Sequence, residues 1–220
     1  MTRAIAVLRP EPGNAATVAL LTAAGLQAIA LPLFETRAID WTPPDPRNHD
    51  ALLFTSANAV RLGGPDLDRL ASLPVLAVGP ATAVAARKAG FAVALVGTTN
   101  AAAAAAEAAS LGYRRIVHVT GRDHVSPGGG VTCTITVYES TPRPISDARI
   151  ADIDGGVALL HSARAAARFA ALAAARRDRI GIAALSEAVA VAAGEGWARV
   201  AIASVPTDTA LIAAAQQLAD

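Results

Sequence analysis

The 220-residue chain is short of most of the groups that announce a chemistry. It has one cysteine, Cys133, which excludes an internal disulfide framework and any cysteine-based metal cluster. Cys133 lies in a β-branched run and reads as a buried strand residue. Aromatic residues make up only 4% of the chain, so its cores must be built from aliphatic side chains and alanine. Charge of one sign is also lacking: 19 basic residues oppose 18 acidic ones, for a net charge of +1. That leaves no basic footprint for nucleic acid. An anionic ligand would have to be met by local groups rather than by the field of the whole protein. No apolar run reaches about 18 uninterrupted residues, so no membrane span is expected. Ala4–Leu8 is too short for the core of a signal sequence, and the chain reads as a soluble cytoplasmic protein. There is no G-x-G-x-x-G, no G-x-x-x-x-G-K-[ST] and no G-x-S-x-G, so dinucleotide, P-loop and nucleophile-elbow chemistry have no support. The four histidines, 49, 118, 124 and 161, share no metal-ligand spacing.

What is present is an internal echo. Leu-Leu-Phe-Thr-Ser-Ala-Asn-Ala at 52–59 returns as Ala-Leu-Leu-His-Ser-Ala-Arg-Ala at 158–165, placing Ser56 on Ser162 at an offset of 106 residues (162 − 56). Without a gap, the same offset carries 82–86 onto 188–192, Gly90-Phe91 onto Gly196-Trp197, and 93–96 onto 199–202. A repeat this long is two copies of a small α/β unit rather than a solenoid, whose periods run roughly 20–50 residues. Two similar domains facing each other would make a cleft suited to a ligand. Alanine matches carry little of this; the paired serines, the paired Gly-aromatic steps and the absence of gaps carry it.

Strands are expected at 4–8, 27–31, 51–54, 75–78, 92–96, 115–119, 131–139, 157–160, 180–185 and 199–203, alternating with helices near 15–24, from Ser56, and at 81–89, 101–111, 162–176, 187–193 and 208–219. Asn14 reads as the cap of the first helix, and glycines follow several others. Alternating strands and helices imply parallel sheets. Two proline-broken stretches interrupt the pattern, Pro43-Pro44-Asp45-Pro46 and Thr141-Pro142-Arg143-Pro144. The first segment has too few strands for a sheet of its own. The economical arrangement is therefore a discontinuous α/β domain of residues 1–33 plus 142–220 and an inserted α/β domain of 47–130. The chain would cross at 34–46 and 131–141, and the two crossings would pair as a two-stranded β-ladder acting as a hinge.

Doubly wound parallel sheets bind ligands outside the carboxyl ends of their strands. Those ends carry Arg9, Thr55-Ser56, Gly79 with Thr82, Thr120-Gly121-Arg122, Ser162, Ser186 and Pro206-Thr207. Nearly all are hydroxyls or glycines that open a helix, where free N–H groups favour carboxylate or phosphate. Each serine or threonine, taken singly, reads equally well as an ordinary N-cap; the repetition of the set in two domains favours a ligand. His118 and His161 end apolar strands and read as core or rim groups. His124 lies in a loop, within reach of a cleft.

The same residues resemble a family. Arg9-Pro10, Pro32-Leu33, F-T-S-A-N-A-V at 54–60, V-G-P-A-T-A at 78–83, A-G-F at 89–91, V-Y-E at 137–139, H-S-A-R-A at 161–165, L-S-E-A-V-A at 185–190 and P-T at 206–207 look, in order and spacing, like uroporphyrinogen-III synthase. The resemblance implies two α/β domains joined by a two-stranded ladder, a monomeric lyase, no cofactor and no metal. It implies hydroxymethylbilane as substrate, closed with inversion of ring D, and the upstream bilane-forming enzyme as a candidate partner, with neither nucleic acid nor membrane involved. It places Tyr138 as the catalytic residue assisting loss of the hydroxyl group. The substrate-binding candidates become Arg9, Ser56, Asn58, Gly79, Thr82, Gly121, Arg122, Ser162, Arg164, Ser186 and Thr207. Three features depart from the pattern. Asn58 stands where some members carry arginine, L-S-E-A-V replaces the second G-x-x-T-A, and 120–130 is short and glycine-rich where members carry a further helix. A non-catalytic two-domain binding protein for an acidic small molecule remains the alternative. A receiver-like module is a weaker one, since the acidic Mg²⁺ cluster is missing.

Overall fold

The structure, a computed structural model, describes residues 3–97 and 100–219. The chain divides into two compact units, one of Met1–Glu35 with Thr141–Asp220 and one of Thr36–Ser140. Each is a mainly parallel sheet covered by helices.

The first unit contains β1 (Ile5–Val7), α1 (Gly13–Ala23), β2 (Ala28–Ala30), α5 (Asp147–Ala151), β9 (Val157–Leu160), α6 (Ala163–Leu172), β10 (Gly181–Ala184), α7 (Glu187–Ala193), β11 (Arg199–Ile202) and α8 (Asp208–Ala219). Its sheet runs β11-β10-β9-β1-β2, and every pairing is parallel. The second unit contains β4 (Ala51–Phe54), α2 (Ala57–Leu62), β5 (Val75–Val78), α3 (Pro80–Lys88), β6 (Val93–Gly97), α4 (Ala101–Ser110), β7 (Ile116–Gly121) and most of β8 (Val131–Pro142). With β3 (Phe34–Ala38) at its edge, the order is β3-β8-β7-β4-β5-β6. Central strands buried on both faces need near-continuous apolar runs, and β4, β9 and β10 supply them, every residue being buried.

The sequence echo is a repeat of structure. Strands β9, β10 and β11 begin 106 residues after β4, β5 and β6 (157 − 51, 181 − 75, 199 − 93). Beyond that stretch the units are circularly permuted: β1 and β2 precede the shared three strands in one unit, whereas β7 and β8 follow them in the other. The pairing registers make the match residue by residue. Ile5 lies beside Val157 as Ile116 lies beside Ala51, so Val7 and His118 are equivalent. The Gly-aromatic repeat is also explained. Gly90 and Gly196 take positive φ (+87° and +89°), which glycine adopts without steric cost. The aromatics that follow enter the two cores: Phe91 packs edge-on to Phe54 at 5.8 Å, and Trp197 stacks on Phe169 at 5.4 Å.

Where β1 and β2 are joined by α1, β7 and β8 are joined by 122–130 alone, with no helix. A nine-residue segment at full extension spans roughly 30 Å, enough to return along a six-residue strand. The β7–β8 end of the sheet face that α4 covers elsewhere therefore has no helix of its own, and β8 carries Thr132 and Thr134, both exposed. Threonine keeps the strand preference of a β-branched residue while its hydroxyl accepts water.

Two expectations are corrected. Asn14 does not cap α1 from outside but lies buried in its first turn, where its amide donates to the carbonyls of Val7 (2.7 Å) and Arg9 (3.1 Å). The stretch at 141–142 is not a strand-breaking linker, because β8 continues through Pro142. The N–H groups of Ile39 and Arg143 donate to the carbonyls of Val137 and Leu33, so β3 runs antiparallel to β8. In that register Pro142 falls between hydrogen-bonded pairs and past the end of β7, where its missing N–H costs no ladder bond.

Candidate functional site

In the second unit the candidate residues gather at the carboxyl ends of β4, β5 and β7. The Ser56 hydroxyl caps α2, accepting from the Asn58 N–H at 3.2 Å, while the Asn58 side chain accepts from Arg61. Gly79, with φ +84°, turns the chain from β5 into α3, which opens with Pro80; Thr82 is buried in the first turn. Gly121 pairs with Tyr138 across β7 and β8 at a register shift, and the tyrosine ring lies over the glycine. Arg122 is engaged rather than free. It donates to Glu139 at 2.9 Å, and Arg37 donates to the same carboxylate at 2.7 Å. These guanidiniums, Arg37 foremost, hold the Glu139 carboxyl below its usual range.

Beside this rim is a hydroxyl–imidazole cluster that the sequence pointed to only piecemeal. His118 Nε2 lies 3.2 Å from Thr55 Oγ1, which lies 3.5 Å from Thr120 Oγ1. His118 is fully buried, and burial pushes its pKa down to about 4. The ring of His124, in the helix-less segment, meets the His118 ring edge-on at 5.6 Å. The carbonyls of Gly121 and Arg122 lie 2.9 and 3.2 Å from His124 Nδ1. A carbonyl only accepts, so Nδ1 carries the His124 proton.

In the first unit the strand ends hold a charged cluster. Arg9, just past β1, donates to both oxygens of Asp208 (3.0 and 2.8 Å), the first residue of α8. Thr17 donates to the same carboxylate at 3.4 Å. His161 Nε2 is 3.3 Å from Asp208 Oδ1. Burial, then the Arg9 charge, push the His161 pKa down to about 4 against the opposing pull of Asp208. Arg9 folds over Gly13, whose missing Cβ leaves room for the guanidinium. Ser162 caps α6, accepting from the Ala165 N–H at 3.3 Å, just as Ser56 caps α2. Arg164 lies over the Phe34 ring at 4.4 Å, a cation–π contact. Ser186 occupies the cap position of α7 without a side-chain cap bond, and Thr207 accepts from the Ala210 N–H at 3.3 Å.

In the sequence Asp208 is marked only by its place in the first turn of a helix. His118 and His161 are linked there only through the repeat, whose offset aligns Thr55 with His161. Each unit thus buries one imidazole at the same pair of strands, His161 at the end of β9 and His118 within β7. Among the described residues, no group of three or more His, Cys, Asp or Glu is placed to hold a metal ion, and no helix is long and apolar enough to cross a membrane.

Comparison with known proteins identifies the family and the fold. The family model HEM4, uroporphyrinogen-III synthase HemD, matches residues 15–213. The crystal structure of uroporphyrinogen-III synthetase from Helicobacter pylori is similar in fold, with a TM-score of 0.68 at 18% identity, covering 98% of this chain and 99% of that one. A mutant uroporphyrinogen III synthase from Thermus thermophilus gives 0.54 at 16% identity, with 98% of each chain covered. A search of curated protein sequences gives no match.

Proposed function

The chain belongs to the uroporphyrinogen-III synthase family, and from that membership we propose how its residues carry out the family's reaction, the dehydrating closure of hydroxymethylbilane to uroporphyrinogen III. The observation that carries the reading is the family match across residues 15–213, nearly the whole chain.

The linear tetrapyrrole carries a carboxylate on each acetate and propionate arm. Carboxylates are well met by the N–H groups and hydroxyls at Ser56, Gly79 and Thr82 in one unit and at Ser162, Ser186 and Thr207 in the other, without a basic surface. Arg9 is neutralised by Asp208 but keeps further N–H donors, whereas Arg37 and Arg122 share the one carboxylate of Glu139 and leave a positive charge near the strand ends of the second unit. Asn58, Gly121 and Arg164 complete the set.

Tyr138 is assigned the acid role. Its phenol gives a proton to the ring A hydroxymethyl oxygen as the C–O bond breaks, so water leaves and an azafulvene cation remains. The substituted carbon of ring D attacks that cation and forms a spiro intermediate. The intermediate fragments and recloses with ring D inverted, and loss of a ring proton restores the aromatic pyrrole. The protein's main contribution is to hold the cation in one geometry and exclude the direct closure. A monomer working in the cytoplasm and receiving its substrate from the bilane-forming enzyme is part of the same proposal.

The test is the product isomer. Hydroxymethylbilane closes on its own, without inversion, to the type I isomer. Purified protein is mixed with fresh hydroxymethylbilane, the products are oxidised, and the isomers are separated chromatographically. A type III excess that scales with protein concentration is expected. Type I alone, at the protein-free rate, would overturn the reading and leave a binding protein for an acidic small molecule.

A further inference from the structure

We propose that His118 is a positioning residue that fixes the Thr55 hydroxyl as a hydrogen-bond donor to an anionic oxygen of the substrate. This rests on the reading of function above. The starting observation is a polar side chain in an apolar place. The equivalent residue of the first unit is Val7, which packs among Ile5, Leu21 and Leu211 under α1 and α8. In the second unit the helix corresponding to α1 is absent, and the position holds an imidazole with no exposed surface. His124 covers that ring from the 122–130 segment.

A buried polar group is retained at a cost unless it is hydrogen-bonded. His118 makes one such bond, from Nε2 to Thr55 Oγ1 at 3.2 Å, and Nδ1 has no partner among the described residues. The ring is neutral, so one nitrogen carries the proton. With the proton on Nδ1, an N–H would be buried with nothing to accept it. With the proton on Nε2, that N–H donates to Thr55 and Nδ1 is left as a bare acceptor. The second arrangement avoids the orphaned donor and is the one the geometry points to.

The consequence falls on Thr55. Its oxygen is occupied as an acceptor, so its own proton must point elsewhere. Inside the protein the available acceptor is Thr120 Oγ1, at 3.5 Å, beyond the good range for O–H···O. Outside lies the carboxyl end of β4, one residue before the cap Ser56, where Thr55 is half-buried. A hydroxyl that accepts one hydrogen bond donates the next more strongly, and a carboxylate oxygen is the acceptor that gains most from it. Losing a hydrogen bond to a charged group corresponds to a change in affinity of roughly 10-fold or more.

The experiment compares Thr55→Val, His118→Leu, His118→Gln and the Thr55→Val/His118→Leu double variant, measuring kcat, KM and thermal midpoint for each. Thr55→Val is expected to raise KM about 10-fold and leave kcat nearly unchanged. His118→Leu should do the same, and the double variant should be no worse than either single one. His118→Gln, which keeps a side-chain N–H, should recover most of the loss. Independently of turnover, ¹⁵N NMR of the histidine side chains in the intact protein should show His118 protonated on Nε2. Additive losses, an unaffected Thr55→Val, or a proton on Nδ1 would each overturn the proposal. If the parent protein makes no type III product, the reading of function fails. The tautomer then decides the His118–Thr55 arrangement by itself, including where His118→Leu does not fold.

Discussion

Gly121 and Tyr138 face each other across the β7–β8 ladder so closely that a Cβ on Gly121 would lie 2.5 Å from Tyr138 Cζ and 2.9 Å from its hydroxyl oxygen. The glycine makes the seat on which the phenol rests. Gly121→Ala is therefore expected to push the ring off the strand, costing about 1–3 kcal/mol of stability and lowering turnover about 10-fold through the displaced phenol. Urea unfolding and product formation, measured on one preparation, check both halves. An alanine variant with parental turnover would show that the ring position is not needed.

Tyr138→Phe separates the hydroxyl from the ring. The ring is half-buried against the second unit's core, so packing should survive and the unfolding midpoint should stay where it is. Turnover should fall on the order of 10-fold or more if the phenol supplies the proton to the leaving hydroxyl. Steady-state rates with hydroxymethylbilane decide this. An unchanged rate would reduce Tyr138 to a packing residue.

Asp208 ties Arg9 and His161 together from 199 and 47 residues away along the chain (208 − 9, 208 − 161). The Arg9–Asp208 pair is about one-third exposed on each side, so its contribution is modest. Asp208→Asn is expected to destabilise the protein by about 1 kcal/mol or less. It should also lower the His161 pKa further below its value of about 4, because Asp208 is the group that opposes burial there. An NMR titration of the His161 ring protons reads this directly; a midpoint moving upward would contradict the cluster as described.

Both buried histidines make stability depend on pH in one direction. Their native pKa values are about 4, below the ordinary 6.5. Between those limits the unfolded chain binds more protons than the native protein, so protonation favours unfolding. The stability is fully present above about pH 6.5 and is lost as pH falls through that window toward 4. At pH 5 the loss should be on the order of 1–2 kcal/mol for each histidine. Urea midpoints from pH 7.5 to 4.5 should fall accordingly, and His118→Leu should flatten the dependence. Equal slopes in parent and variant would refute the assignment.

Much of this architecture is written locally. Runs such as Ala51–Phe54 and Val157–Leu160 specify buried parallel strands because nothing in them can face water. Ser56 and Ser162 mark helix starts because a hydroxyl before a helix satisfies a free N–H one turn away. The offset of 106 residues exposed the repeat because it needs no knowledge of contacts. What tertiary structure alone decided is set by groups far apart in sequence. Asn14 has the sequence of a cap, yet it turns inward to the carbonyls of Val7 and Arg9 because the start of α1 folds back over β1. Pro142 reads as a breaker, but it stays in β8 because its neighbours in the sheet ask for no N–H there. Arg9 and Arg122 stand in the sequence only as cations at strand ends; the fold brings them to carboxylates 199 and 17 residues away. His118 looks like any histidine ending an apolar strand. Its bond to Thr55 exists because β4 and β7 pair in parallel and no helix intervenes between β7 and β8, a relation that only the assembled sheet contains.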